Sequence, residues 1–280
     1  MHVRQILVAT ASLLVAACAD QPALGPIVTN RPSLITSGEF DQGAHPYVGL
    51  LVFDNAQGPA WLCTGALLSP TVVLTAGHCT DGAVAARIWM NEVVQGNSEF
   101  PLGGSTSYEG IPHTYTGFCV GCATGFGMLT WLEGDIGIVV LQEPVPTGVV
   151  STYVQLPSAG LASTIANGSS ITLVGYGDQF RLVGGGPPRT AGFLRRLMTP
   201  STFLSGQFNN SEHLIRLSQT AARGKGGLCF GDSGGPNLIG ASNVTVAVNS
   251  YVTNGNCAGV AYTTRIDLPD VLTWIQSFLD

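Results

Sequence analysis

Charge is scarce in this chain: only 10% of its 280 residues are Asp, Glu, Lys or Arg, and 11 basic residues against 17 acidic ones leave a formal net charge of -6. With a pI near 5.2 there is no basic surface to hold a phosphate backbone, which excludes nucleic acid as a partner. No heptad and no fixed repeat is visible, so coiled coils and solenoids are excluded as well. The apolar run from Ile6 to Ala17 falls short of the roughly 20 residues a membrane-spanning helix needs. What the chain has in quantity is glycine (37) and proline (16), set between recurring Val/Thr-rich runs. That composition suits many short strands joined by tight turns and predicts an all-β fold.

The N-terminus reads as an export signal over residues 1–18: a short basic start with His2 and Arg4, an apolar stretch, then Ala16-Ala17-Cys18-Ala19 before the chain turns polar. Export implies an oxidising compartment. Two cleavage readings stay open. Ala17-Cys18-Ala19 fits a small-residue A-x-A site, whereas Val15-Ala16-Ala17-Cys18 resembles the lipobox of bacterial lipoproteins. Of the seven cysteines (18, 63, 79, 119, 122, 229 and 257), six can pair within the folded domain, and lipidation of Cys18 would account for the odd one. One acyl chain binds membranes only marginally, so anchoring at an outer membrane or cell surface would need several. The expected location is therefore outside the cell or in its envelope. Residues 19–34, with three prolines and little periodicity, read as a tether or propeptide.

Beyond the tether, strand-like runs occur at Tyr47–Phe53, Leu62–Leu68, Val72–Thr75, Ala85–Trp89 and Asp135–Leu141, with a Gly/Ser/Thr-rich stretch from Asn91 to Leu132 expected to be loops. The first half closes near Pro146. A second series follows at Ile171–Tyr176, Leu194–Met198, His213–Leu217, Val244–Tyr251 and Ala261–Thr264. From Leu268 to Leu279, Val271, Leu272, Ile275, Phe278 and Leu279 recur at helical spacing behind Pro269, which predicts a C-terminal helix.

Three strings carry candidate chemistry: Thr75-Ala76-Gly77-His78-Cys79, the strand opening Asp135-Ile136-Gly137, and Gly231-Asp232-Ser233-Gly234-Gly235-Pro236. Taken singly, each has a plain structural reading as a cap, a turn or a packed histidine. Together they supply what peptide hydrolysis by a serine needs. The hydroxyl of Ser233 is a weak nucleophile and requires an imidazole, here His78, to take its proton and return it to the leaving amine. A buried carboxylate, here Asp135, selects the imidazole tautomer and tolerates the positive charge that forms. Glycines around Ser233 allow a sharp turn that aims the N-H groups of Gly231 and Ser233 at a developing oxyanion.

In order and flanking residues these strings resemble the chymotrypsin-like, trypsin-fold serine proteases, over Ile35 to Asp280. The resemblance implies two antiparallel six-stranded β-barrels packed face to face, with the triad His78, Asp135 and Ser233 in the cleft between them. The domain would cover residues 35–280, with a first barrel over about 35–148, a second over about 149–265 and the helix over 268–279. It also implies the disulfides Cys63–Cys79 and Cys229–Cys257. Cys119-Val120-Gly121-Cys122 lacks a second cysteine pair for zinc and is expected to form a small-ring disulfide; no metal or cofactor is expected. Family members are commonly zymogens in which a freed Ile or Val amine pairs with the aspartate before the serine, here Ile35 and Asp232. Leu34 precedes Ile35 where arginine or lysine is usual, and Arg31 is followed by Pro32, so another protease, autoprocessing or no zymogen stage all stay open. The family's pocket positions fall on Gly227, Leu228, Ser250, Tyr251, Val252 and Val260 or Gly259. With no charge at Gly227, and Val252 narrowing the entrance, cleavage is expected after small or medium apolar residues.

Two rival hydrolase folds drop out on residue order. The Gly231-Asp232-Ser233-Gly234-Gly235 string also fits the serine elbow of α/β-hydrolases, but that fold needs a histidine after the serine, and His2, His45, His78, His113 and His213 all precede it. A subtilisin-like order needs a catalytic aspartate ahead of His78, and neither Asp41 nor Asp54 has a fitting setting. The remaining alternative to a peptidase is a catalytically idle module that binds peptides or proteins on the same scaffold.

Overall fold

The computed structural model describes residues 38–121, 132–182, 189–204, 212–219, 226–255 and 257–279. The export signal, Cys18, the tether, Ile35 and Cys122, and with it the Cys119–Cys122 pairing, lie outside the described residues. In chain order the first half contains β1 (Glu39–Phe40), β2 (Val48–Asn55), β3 (Gly58–Leu67), β4 (Val72–Thr75), a single helical turn α1 (Gly77–Thr80), β5 (Ala85–Trp89), β6 (Ser107–Thr114), β7 (Cys119–Val120), β8 (Leu132–Glu133) and β9 (Gly137–Leu141). The second half contains β10 (Ser170–Gly175), β11 (Phe180–Leu182), β12 (Arg189–Ala191), β13 (Leu197–Leu204), β14 (Leu214–Gln219), β15 (Pro236–Ile239), β16 (Thr245–Val252), β17 (Gly259–Arg265) and the helix α2 (Pro269–Gln276).

Strands β2, β3, β4, β9, β6 and β5 close into one antiparallel barrel. The second set runs β13-β10-β15-β16-β17-β14 and closes through an added β13–β14 pairing, so it too is a six-stranded barrel. β1 pairs with β13, which ties the start of the described chain to the second barrel. Among the described residues no helix is long and apolar enough to cross a membrane.

β2 (VGLLVFDN) is buried at all but its last position, because its two faces meet different partners. One cluster of buried residues joins β2 and β5 residues of the first barrel to Val174, Tyr176 and Leu238 of the second, so this strand is apolar without alternation. β13, by contrast, alternates buried and less buried positions, as a strand with one inward face does. A buried polar staple also links the barrels. Arg196 pairs with Asp41 at 2.8 Å and donates to the carbonyls of Val48 (2.8 Å) and Met90 (3.2 Å).

The stretch expected to be loops between Asn91 and Leu132 contains β6, which pairs with both β5 and β9 and is needed to close the barrel. Its sequence, SYEGIPHT, carries an interior glycine and proline and gives no strand periodicity. Closure by its neighbours overrides the weak local preference. β15 (PNLI) likewise carries no clear strand signal, being short and opening on proline. Helix α2 starts with Pro269 in its first turn and buries Val271, Leu272 and Ile275. Val271 and Ile275 pack in a cluster with Val72, Leu74, Ile136 and Ile138, each buried side chain contributing about 1.5–3 kcal/mol. The helix therefore braces the segment that carries Asp135.

Candidate active site

His78 rides on α1, directly after β4. Two links fix that turn: the Cys63–Cys79 disulfide to β3 and a hydrogen bond from the His78 backbone N-H to Asp135 Oδ1 at 2.7 Å. Asp135, completely buried, sits just before β9, the strand paired with β4, so the two segments arrive side by side. His78 Nδ1 lies 2.8 Å from Oδ2 and 3.1 Å from Oδ1 of Asp135. An ionised carboxylate can only accept, so Nδ1 carries the proton and Nε2 is left as the basic nitrogen. A third donor reaches the carboxylate from the second barrel: the hydroxyl of Ser250, on β16, donates to Asp135 Oδ2.

Burial opposes charge on both partners, and their interaction outweighs it. For His78, burial works against the imidazolium, but the charge and hydrogen bond of Asp135 hold its pKa above the ordinary value. For Asp135, burial works against the carboxylate, but the charge of His78 and the hydrogen bonds from His78 and Ser250 hold its pKa below the usual range. The His78 side chain keeps 31% of its surface accessible while that of Asp135 has none, so only the imidazole can meet a substrate.

Ser233 is held by residues of both barrels. Its carbonyl accepts from Thr64 N on β3 at 2.8 Å, and the hydroxyl of Thr64 donates to the carbonyl of Gly231 at 2.9 Å. From β16, Asn249 accepts from Gly234 N at 2.8 Å and donates through Nδ2 to the carbonyl of Asp232 at 2.9 Å. Gly231 (φ 96) and Gly234 (φ 82) adopt left-handed backbone. At Gly234 a Cβ would also lie 2.1 Å from Thr75 Oγ1, so a larger residue would push the loop off the first barrel. Among the described residues, the N-H groups of Gly231 and Ser233 donate to no protein acceptor, which leaves two donors for a ligand oxygen. No hydrogen bond joins His78 Nε2 to Ser233 Oγ among the described residues; such bonds are often long before substrate arrives.

Asp232 points the other way, into the second barrel. Its carboxylate accepts from Gly177 N at 2.7 Å and Cys229 N at 2.9 Å. Burial pushes its pKa up to about 7 despite those two donors, with Asp178 adding in the same direction. Ile35, its partner expected from the sequence, lies outside the described residues.

His78 and Ser233 line one cavity of about 540 Å³. Of the pocket residues expected from the sequence, Leu228, Ser250, Tyr251 and Val252 line it, together with Val120, Leu132 and Phe230. Gly227 and Val260 are not part of that lining. No Asp, Glu, Lys or Arg occurs among the described lining residues. Cys229, which lines the cavity beside the segment 249–255, is tied by a disulfide to Cys257. Cys63, His78 and Cys79 cluster closely enough to suggest a metal site, but both thiols are consumed in the disulfide. The remaining described histidines include His45, paired with Asp41 at 2.5 Å, and His113, whose ring lies 5.1 Å from that of Phe278.

Two contributors escaped sequence reading. Ser250 was expected only as a pocket residue, and Thr64 carried no expectation. Each acts on a partner over 100 positions away (Ser250 on Asp135, Thr64 on Gly231), so no local spacing could reveal either.

A family model described as Trypsin matches residues 35–275. Among curated relatives, "Trypsin theta" of Drosophila erecta is 25% identical over 83% of this chain and 80% of its own length. "Serine protease SP24D" of Anopheles gambiae is 27% identical over 79% and 73%, and "Chymotrypsin" of Phaedon cochleariae 25% over 92% and 86%. Among solved structures, an HL collagenase superposes with a TM-score of 0.63 at 19% identity, covering 86% of this chain and 96% of that one. Human heparin binding protein gives 0.54 at 18% identity, covering 84% and 92%. At those identities the structural likeness speaks for the fold alone.

Proposed function

Because the chain belongs to the trypsin family of serine proteases, matched over residues 35–275, we propose that it is an endopeptidase that cleaves peptide bonds through an acyl-enzyme on Ser233. The observation that carries this is the shared cavity. His78, its tautomer fixed by buried Asp135, faces it together with Ser233, and two undonated N-H groups flank the serine. Ser233 Oγ attacks the substrate carbonyl carbon while His78 Nε2 takes its proton. The resulting oxyanion is stabilised by the N-H groups of Gly231 and Ser233. Collapse breaks the C-N bond, and the Nε2 proton passes to the leaving amine. Water, deprotonated by the same imidazole, then releases the acyl group. These steps are the ones known for this family.

The test is labelling with a fluorophosphonate probe, followed by turnover of peptide amides. Wild-type protein is expected to label on Ser233 and to hydrolyse, while Ser233→Ala does neither at matched circular dichroism. The lack of a His78–Ser233 hydrogen bond among the described residues favours a second reading, an idle peptide-binding module; it would bind peptide without labelling.

Finer features belong to the same proposal. The apolar, uncharged lining around Leu228 and Val252 supports cleavage after small or medium apolar residues. Burying such a side chain contributes roughly 1 to 3 kcal/mol, whereas a cation would lose hydration without a partner. The protease domain is residues 35–280, preceded by an export signal and a tether. Export delivers it to the extracellular space or envelope, with lipid on Cys18 as the anchor. Activation through an Ile35 amine reaching Asp232 completes the reading.

A further inference from the structure

The residue at the family's pocket base, Gly227, does not line the cavity beside Ser233, and the structure shows what stands in its place. A Cβ built on Gly227 would lie 2.3 Å from Cγ and 2.5 Å from Cδ of Gln219. The volume into which a side chain at position 227 would project is therefore filled from outside the loop, by Gln219 at the end of β14. The preceding residue is equally confined, since a Cβ on Gly226 would lie 2.2 Å from Thr199 Oγ1 on β13. Residues 226 and 227 thus lie flat against the barrel wall, and of the described residues in this segment the first to line the cavity is Leu228.

Gln219 also holds that next residue. Its Nε2 donates to the carbonyl of Leu228 at 3.1 Å, and Leu228 packs among Phe203, Leu217 and Ala261 of the second barrel. Gln219 is 2% exposed, and among the described residues its Oε1 has no hydrogen-bond partner. Retaining a buried acceptor without a partner is unfavourable. An apolar side chain of similar length would fill the same volume without that cost, but it could not hold the Leu228 carbonyl.

We propose that Gln219 is a specificity-positioning residue: by filling the space beside Gly227 and holding Leu228, it sets the depth of the cavity that receives the residue before the scissile bond. It touches no substrate atom and acts through Leu228. This rests on the endopeptidase reading above and adds the determinant of pocket depth. Depth set in this way bears on whether a large ring such as that of Phe is admitted, independently of the width at Val252.

Four variants test it: Gln219→Ala, Gln219→Met, Gly227→Ala and the double variant Gly227→Ala with Gln219→Ala. Each is measured on peptide amides differing only in Ala, Val, Leu or Phe before the cleaved bond, with active sites counted by fluorophosphonate. Gln219→Ala is expected to raise the Phe-to-Ala ratio of kcat/KM by about tenfold, the scale of a methylene-sized change in a pocket. Gln219→Met, which refills the volume, is expected to keep the wild-type ratio even if overall turnover falls. Gly227→Ala alone is expected to lose at least about tenfold in kcat/KM, and the added Gln219→Ala to restore most of it, a coupling expected only of groups in contact. An unchanged ratio in Gln219→Ala, or strictly additive effects of the two sites, overturns the proposal. Absence of labelling in the wild-type protein would instead count against the endopeptidase reading.

Discussion

Replacing Ser250 with alanine separates a group that organises the Asp135 carboxylate of the proposed triad from one that merely lines a wall. Ser250 is buried on β16, and its hydroxyl donates to Asp135 Oδ2, the oxygen that His78 Nδ1 also contacts at 2.8 Å. Without the hydroxyl, Asp135 keeps its bonds from the His78 ring and backbone but loses the donor from the second barrel. A hydrogen bond to a charged group contributes about 1.5–3 kcal/mol. If all of it acts on the imidazolium that forms in the transition state, kcat/KM should fall by roughly 10- to 160-fold. The variant is also expected to lose about 1–3 kcal/mol of stability, since a buried carboxylate is left under-satisfied. Ser250 lines the cavity as well, so the assay must split kcat from KM on a series of peptide p-nitroanilides with titrated active sites. Action through Asp135 lowers kcat by a similar factor for Ala, Val and Leu substrates, and Ser250→Thr, which retains a hydroxyl, recovers part of it. A kcat/KM within about twofold of wild type, or a loss confined to KM and scaling with substrate size, would refute the reasoning.

Because Asp135 holds the His78 pKa above the ordinary imidazole value, and the base must be neutral to act, the acidic limb of the kcat/KM profile should lie above pH 6.5, its usual position. Linkage has the opposite sense for stability: the raised His78 pKa stabilises the fold below the unfolded value, and that contribution is lost as pH rises through the folded one, which unfolding curves across that window should show. Converting both Cys63 and Cys79 to alanine, opening a link with a sequence separation of 16, should cost about 3 kcal/mol in denaturant titrations. Cys18→Ser should release the protein from membranes of its native host, whereas intact mass showing an unmodified N-terminus at Asp20 would mean ordinary signal cleavage. Peptide-library digestion should yield cuts after Ala, Val or Leu; dominant cleavage after Arg or Lys would overturn the pocket assignment.

The strands were legible where the chain is apolar over several residues. Val72–Thr75 and Ala85–Trp89 fall within the bounds read from the sequence, and helix α2 follows its spacing and its first-turn proline. β6 was not legible, because what makes it a strand is the pair of neighbours it joins when the barrel closes, and its glycine and proline weaken any local sign. The second barrel presents the same difficulty in β15. Burial on both faces, as in β2, also hides the alternation that would tell which side of a strand faces inward.

At the site, the motifs pointed to the residues proposed to carry the chemistry but not to those that hold them in place. A histidine beside a cysteine and a serine among glycines are local signals, because the constraint each answers is local: a one-turn helix pinned by a disulfide, and a left-handed backbone at Gly231 and Gly234. The residues that hold them come from elsewhere in the chain. Thr64 reaches Gly231, Ser250 reaches Asp135, and Gln219 fills the space beside Gly227. Any one of them could be another small polar residue, or in the last case another side chain of similar volume, without changing a motif. Pocket depth is the sharpest case. A glycine at position 227 suggests an uncharged pocket base, but in sequence alone it does not tell whether the space beside it is empty or already filled. Here it is filled from β14, by Gln219, and Leu228 rather than Gly227 lines the cavity beside Ser233, so a specificity argued from position 227 alone would miss what occupies that space.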